Sequence, residues 1–78
     1  MDKNITVEEV KKDHHRIHYK GKFFGVVEYR RVYGNDQYYA FIDGMGCQYN
    51  SFEDAVAHLF WRHGFTIAKA NKLAGVKF

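Results

Sequence analysis

Glycine-containing clusters divide the middle of the chain into short runs and limit what it can fold into. They stand at Gly21, at Gly34-Asn35-Asp36 and at Gly44-Met45-Gly46, where tight turns need residues that tolerate positive φ. The runs between them alternate polar and apolar residues or are rich in aromatic and β-branched residues, as strands are. The sequence therefore predicts an antiparallel meander with strands at 16–20, 23–33 and 37–43, and a short edge piece at 47–49.

Helix-capping patterns flank this meander. Ser51 and Gly64 bound a helix whose apolar stripe repeats with helical spacing and consists of Phe52, Ala55, Val56, Leu59, Phe60 and His63. Thr6 and Glu9 form a capping box that predicts a helix over 7–13. A last helix is expected over 66–74, stopped by Gly75, with 76–78 as a tail. The predicted fold is α+β: a three-stranded antiparallel sheet packed on one main helix, with a short N-terminal helix and a short C-terminal helix.

The length and composition suggest one small intracellular domain over 1–78. A chain of 78 residues buries too little surface for a wide stability margin, so a homodimer that hides an apolar face is one expected remedy. Cys47 is the only cysteine, which excludes an internal disulfide and favours a reducing compartment. There is no signal-peptide pattern and no apolar run of about 20 residues, so a cytoplasmic protein without a membrane partner is expected.

The third predicted strand carries large residues on both faces. If Tyr38, Ala40 and Ile42 lie under the main helix, Tyr39 and Phe41 face outward, beside Tyr29, Arg31 or Tyr33 of the second strand. Aromatic rings near cations are what stacking on nucleic-acid bases requires. The binding residues predicted on this basis are Lys20, Lys22, Tyr29, Arg30, Arg31, Tyr33, Tyr39, Phe41 and Trp61. Two alternatives stay open: the outer face is a protein or dimer interface, or the chain ends fold over it.

Segments between Phe24 and Ala57 resemble a known family. Phe24-Gly25-Val26-Val27, Tyr38-Tyr39-Ala40-Phe41-Ile42 and Tyr49-Asn50-Ser51-Phe52-Glu53-Asp54-Ala55-Val56 are similar to the strand, strand and helix-start segments of AP2-type DNA-binding domains. In that family a three-stranded sheet enters the major groove and a helix backs it. The resemblance implies that Arg30 and Arg31 approach DNA.

Chemistry-bearing residues are few, and none of them predicts catalysis. His14, His15 and His18 suggest a metal at first sight, but no cysteine pair accompanies them and a helix–strand junction is expected to splay the rings. Cys47 has no cysteine-enzyme pattern around it, and Gly44-x-Gly46 lacks the third glycine and the lysine of phosphate loops. The sequence predicts no enzyme, no cofactor, no metal site and no small-molecule substrate.

Trp61 lies opposite the apolar stripe of the main helix, so that helix alone does not bury it. It is expected to be covered either by Phe65, Ile67, Leu73 or Phe78 of the chain's own end, or by a second molecule. The favoured function is nucleic-acid binding through a basic and aromatic sheet face. The alternative is an accessory protein of the phage or mobile-element type that binds and inhibits a host protein, such as an anti-CRISPR or other anti-defence inhibitor.

Overall fold

A computed structural model describes residues 1–76 as five antiparallel strands followed by two helices. The strands form one meander in which each pairs with the next along the chain. The predicted tail residues 77 and 78 lie outside the described residues. The elements are β1 (Ile5–Lys11), β2 (His14–Tyr19), β3 (Lys22–Val32), β4 (Asn35–Ile42), β5 (Met45–Tyr49), α1 (Phe52–Arg62) and α2 (Ile67–Ala74).

Three of the hairpins close through two-residue turns with positive φ at both positions. These turns are Lys20-Gly21, Tyr33-Gly34 and Asp43-Gly44, with φ near 50° at the first residue and near 80° at the glycine. Such turns match the right-handed twist of the strands, which is why glycine ends each of them. The middle turn lies one residue earlier than its glycine cluster suggests, so Asn35 and Asp36 begin β4.

The predicted N-terminal helix over 7–13 is wrong. These residues belong mainly to β1, which pairs with β2 from Ile5 opposite Tyr19 to Glu9 opposite His15 and, after a register irregularity, at Lys11 opposite His14. A helix of two turns is unstable without tertiary packing, whereas pairing satisfies the backbone groups of the β-branched run 5–7. Asp13, with φ of 65°, then turns the chain into β2.

The three-stranded sheet of the sequence prediction is corrected to five strands. Besides β1, the expected edge piece at 47–49 is a full strand, β5, which pairs with β4 from Met45 opposite Ile42 to Tyr49 opposite Tyr38. The Asp43-Gly44 turn aligns the two strands, and their pairing extends to Tyr49, just before the cap of α1. The α+β class is retained, with the sheet larger and the helices fewer than expected.

The two C-terminal helices lie where the sequence predicts them, except that Thr66 caps α2 and is not its first residue. The Ser51 hydroxyl accepts a hydrogen bond from the Asp54 amide, and the Thr66 hydroxyl accepts one from the Lys69 amide. Gly75 ends α2 in the left-handed conformation. Both predictions are therefore confirmed, because caps act within a few residues of sequence.

The core lies between one face of the sheet and the two helices. Ile17, Val27 and Ala40, on three adjacent strands, are fully buried against it. On α1 the buried residues include four of the predicted stripe and, in addition, Ala57 and His58: the full set is Ala55, Val56, Ala57, His58, Leu59 and Phe60. The wider buried surface follows from α2, which packs along α1 and covers a second side of it.

α1 approaches the sheet closely at Gly25 of β3. A Cβ atom there would lie 2.6 Å from Leu59 Cδ2 and 2.8 Å from the Phe41 carbonyl oxygen. The β2–β3 register also shifts between Ile17 and His18. A glycine inside a strand often marks a bulge or a close backbone approach, and both are present here.

Candidate binding face of the sheet

The sheet has a second face, opposite the helices, and its side chains follow from the strand register. Because Val27 and Ala40 pair on the buried face, their neighbours Val26 and Phe41, which also pair, point the other way. Within residues 1–76 α1 packs on the buried face and α2 packs on α1, so no described helix covers this second face. We call it the open face; it carries Arg16, His18, Phe23, Val26, Glu28, Arg30, Tyr39 and Phe41.

Aromatic rings occupy the middle of the open face. The rings of Tyr39 and Phe41 lie nearly parallel, with centroids 6.3 Å apart and an angle of 25° between planes. Phe41 lies over Gly46 of β5, where a Cβ atom would be 2.6 Å from its ring. Phe23, on the other side of the face, is 47% exposed. Strands β3 and β4 thus display three rings to solvent on one surface.

Two arginines lie against these rings. The guanidinium carbon of Arg30 is 4.8 Å from the centre of the Tyr39 ring, and that of Arg16 is 5.5 Å from the centre of the Phe23 ring. Arg30 Nε also donates a hydrogen bond of 2.7 Å to Glu28 Oε1. That hydrogen bond lowers the pKa of Glu28 and raises the pKa of Arg30. Both residues therefore stay charged around neutral pH.

The charges of the open face are close to balanced. Glu28 pairs with Arg30 and lies 3.7 Å from His14 Nε2, and Glu8 of β1 stands opposite Arg16 in the register. The predicted residues Lys20 and Lys22 add no charge to this face: Lys22 pairs with Tyr19 on the helix-bearing face, and Lys20 lies over the Tyr19 ring. The positive charge of the open face is thus concentrated on Arg16 and Arg30.

The remaining predicted residues of β3 lie elsewhere. The expectation that Tyr39 and Phe41 face outward is confirmed, but their supposed neighbours Tyr29 and Arg31 point to the other face. There the Tyr29 hydroxyl donates to Asp36 Oδ1 at 2.6 Å, and Arg31 lies 3.8 Å from the same atom. Strand alternation is the reason: Arg30 and Arg31 cannot share a face.

Tyr33 and Lys20 are turn residues. Tyr33 is 99% exposed at the first position of the β3–β4 turn. Lys20 occupies the equivalent position of the β2–β3 turn, with its ammonium 5.4 Å from the centre of the Tyr19 ring. Neither residue belongs to the open face, and Tyr33 stands apart from the aromatic cluster.

Trp61 lies on the helical side of the molecule and is 48% exposed. It borders a groove of about 280 Å³ together with Tyr49, His58 and Ile67. Of the residues expected to cover it, Ile67 shares this groove, whereas Phe65 packs on Phe60 inside the core. Leu73 is buried in the core as well, and Phe78 lies outside the described residues. The described chain therefore covers only about half of Trp61.

The sequence did not reveal the polar pair beneath this groove. The Tyr49 hydroxyl lies 2.6 Å from His58 Nδ1, and His58 is almost fully buried. Burial lowers the pKa of His58 and raises the pKa of Tyr49. The Tyr49 hydroxyl accordingly donates to a neutral imidazole. Tyr49 lies on β5 and His58 lies nine residues later on α1, so the apolar stripe of α1 alone does not identify the pair.

The histidines of β2 do not converge. His14 approaches Glu28 at 3.7 Å, whereas His15, on the buried face, approaches Glu9 at 3.3 Å and packs edge-on against Phe52. His18 lies on the open face against Phe23. Among residues 1–76, no group of three or more His, Cys, Asp or Glu side chains is placed to hold a metal ion.

Comparison of the chain with family models, with curated proteins and with solved structures found no match. The AP2-type resemblance stays a prediction. No helix within the described part of the chain is long and apolar enough to cross a membrane. What the chain binds is therefore inferred from the chemistry of the open face.

Proposed function

We propose that the open face binds single-stranded nucleic acid by stacking bases on its aromatic rings. The observation that carries this proposal is that exposed aromatic rings of the open face lie against arginines. Tyr39 lies beside Arg30 and Phe23 lies beside Arg16, in each case on adjacent strands. Every base offers a π-face to an aromatic ring, and each stacked base contributes about 1–3 kcal/mol by alanine substitution.

The placement of the rings suits a flexible strand better than a duplex. Tyr39 and Phe41 are two residues apart on one strand, so successive bases can lie on neighbouring rings. A duplex keeps its bases stacked on one another and offers its edges instead. Arg30 and Arg16 lie beside these rings, where they could contact the phosphates that join such bases.

The adjacent arginines provide a matched test of this proposal. Arg30→Glu and Arg31→Glu change the net charge equally, but only Arg30 lies on the open face. In anisotropy titrations with a labelled single-stranded oligonucleotide at about 50 mM salt, Arg30→Glu loses most of the affinity and Arg31→Glu loses little. Circular dichroism confirms that both variants fold. Absence of binding by the wild type, or equal losses in both variants, contradicts the proposal.

A second function, binding of a host protein through the same face, is favoured by one observation. The charges of the open face pair with each other, Glu28 with Arg30 above all, while Phe23, Val26 and Phe41 supply an apolar centre. An apolar centre with a charged rim is typical of protein interfaces. An inhibitor of a host defence enzyme would use such a surface.

Salt and nuclease separate the two functions. Affinity for a nucleic acid falls steeply with salt in proportion to the phosphates neutralised, whereas affinity for a protein at an apolar centre changes little. A protein that is retained on the immobilised chain from nuclease-treated host lysate, and that Phe41→Ala releases, supports the second function. Retention that is lost on nuclease treatment supports the first.

A further inference from the structure

The two edges of the sheet differ in how they are protected. β1, at one edge, carries Glu8, Glu9 and Lys11 and has a register irregularity between Glu9 and Lys11. Charges and bulges of this kind prevent an edge strand from pairing with another chain. β5, at the other edge, reads Met-Gly-Cys-Gln-Tyr, with no charge, no proline and a regular register. Only β1 has the usual protection.

The β4–β5 hairpin determines which backbone groups of β5 point outward. Ile42 and Met45 flank the two-residue Asp43-Gly44 turn and form its closing pair, which in such hairpins is hydrogen-bonded. Because hydrogen-bonded and non-hydrogen-bonded positions alternate, the N–H and C=O groups of Gly46 and Gln48 point away from β4. No strand within residues 1–76 pairs with this outer edge.

We propose that β5 pairs antiparallel with β5 of a second copy of this chain, about a twofold axis at Cys47. In this register the outward N–H and C=O groups of Gly46 in each copy form hydrogen bonds with those of Gln48 in the other copy. The uncharged sequence makes self-pairing free of like-charge repulsion, which distinguishes β5 from β1. A second copy is therefore the occupant that the edge itself specifies.

Exposed side chains on the helix-bearing face of β5 support the same pairing. Met45 is 63% exposed and Cys47 is exposed, and both share the face of their register partners Ile42 and Ala40. Pairing of the two edges brings these side chains to the seam and removes part of their surface from water. It also joins two open faces into one ten-stranded sheet, which adds buried surface to a chain of only 78 residues.

Cys47 provides a direct probe, because the twofold axis places it opposite its own counterpart. Such directly opposed, non-hydrogen-bonded positions have Cα atoms about 4.5 Å apart, within the range of a disulfide. With a mild oxidant, the native wild-type chain forms a disulfide-linked dimer at least about tenfold faster than the same chain in denaturant. An equal or slower rate in the native chain overturns the proposal.

Sedimentation of two matched edge variants completes the test. Cys47→Lys places like charges opposite each other at the axis and converts the dimer to monomer, whereas Thr6→Lys on the β1 edge leaves the dimer intact. The proposal is overturned if the wild type is monomeric at every concentration, or if only Thr6→Lys dissociates the dimer. An extended peptide of another protein would then be the partner to test at β5. Oligonucleotide binding by a monomeric wild type overturns the dimer alone and leaves the proposed function standing.

Discussion

The guanidinium of Arg30 lies 4.8 Å from the centre of the Tyr39 ring, on the side of the sheet that the helices leave uncovered. Glu28 holds the Arg30 Nε at 2.7 Å, and Gln37 accepts a hydrogen bond of 2.8 Å from the Tyr39 hydroxyl. Ring and cation are thus both held in position before any ligand arrives. Such preorganisation reduces the entropy lost on binding.

Removal of the Tyr39 ring is expected to weaken oligonucleotide binding. Tyr39→Ala loses the stacking of one base, about 1–3 kcal/mol, which corresponds to an affinity loss of about 5-fold to 150-fold. Tyr33→Ala is the matched control, because Tyr33 is exposed in a turn away from the open face. Anisotropy titrations check the pair, and an equal loss in Tyr33→Ala places the binding site elsewhere.

A methyl group at Gly25 is expected to push α1 away from the sheet. Gly25→Ala brings the new Cβ against Leu59 Cδ2 and the Phe41 carbonyl at a φ of +154°, so we expect a loss of about 2–5 kcal/mol. Gly34→Ala, with no atom within 4 Å of the new Cβ, pays only the left-handed backbone cost of about 1–2 kcal/mol. Urea denaturation measures both, and equal losses would show that the close approach does not exist.

Truncation of Leu59 tests the phase of α1. Leu59 is fully buried, so Leu59→Ala leaves a cavity and lowers the free energy of unfolding by about 2–5 kcal/mol. Arg62 is exposed, and Arg62→Ala is expected to change it by less than about 0.5 kcal/mol. His58 lies outside the predicted apolar stripe, but it is not a suitable control because it is buried against Tyr49. Similar losses at 59 and 62 would mean that α1 is rotated.

Stability is expected to fall as pH falls below about 6.5, through His58. Its pKa is lowered in the folded state by burial, so the unfolded chain takes up a proton first. The contribution is complete above the unfolded pKa and is lost as pH falls toward the folded pKa, where the Nδ1 lone pair that accepts from Tyr49 is protonated. Urea denaturation between pH 5 and 8 measures this, with His58→Gln as the control for the other four histidines. If the free energy of unfolding of His58→Gln falls with pH as steeply as that of the wild type, His58 is not the source of the pH dependence.

Local sequence patterns predicted the two C-terminal helices, but they wrongly predicted an N-terminal helix and gave the sheet too few strands. Ser51 and Gly75 act within one turn of backbone, so their positions alone locate the start of α1 and the end of α2. Thr6 and Glu9 have the same local pattern, but β2 offers the segment a hydrogen-bonded partner, and pairing prevails over capping. That competition depends on a tertiary contact that no local pattern contains.

The open face was predicted in part for the same reason. The outward direction of Tyr39 and Phe41 follows from alternation within β4, which the sequence shows. Which side chains of β3 lie beside them depends on the register between β3 and β4. A register shift of one residue would place the β3 side chains of the other face beside them. The Tyr33-Gly34 turn sets that register, so Arg30 joins Tyr39 and Arg31 does not.

The most direct test of base stacking on the open face is an NMR titration of aromatic side-chain resonances with a single-stranded oligonucleotide. Ring protons of Phe23, Tyr39 and Phe41 are expected to shift upfield as bases stack on them, because these rings are displayed on the open face. Ring protons of Trp61, on the helical side, and of Tyr33, in the β3–β4 turn, are expected to stay unchanged. Shifts confined to Trp61 or Tyr33, or no shifts at saturating oligonucleotide, would contradict the account.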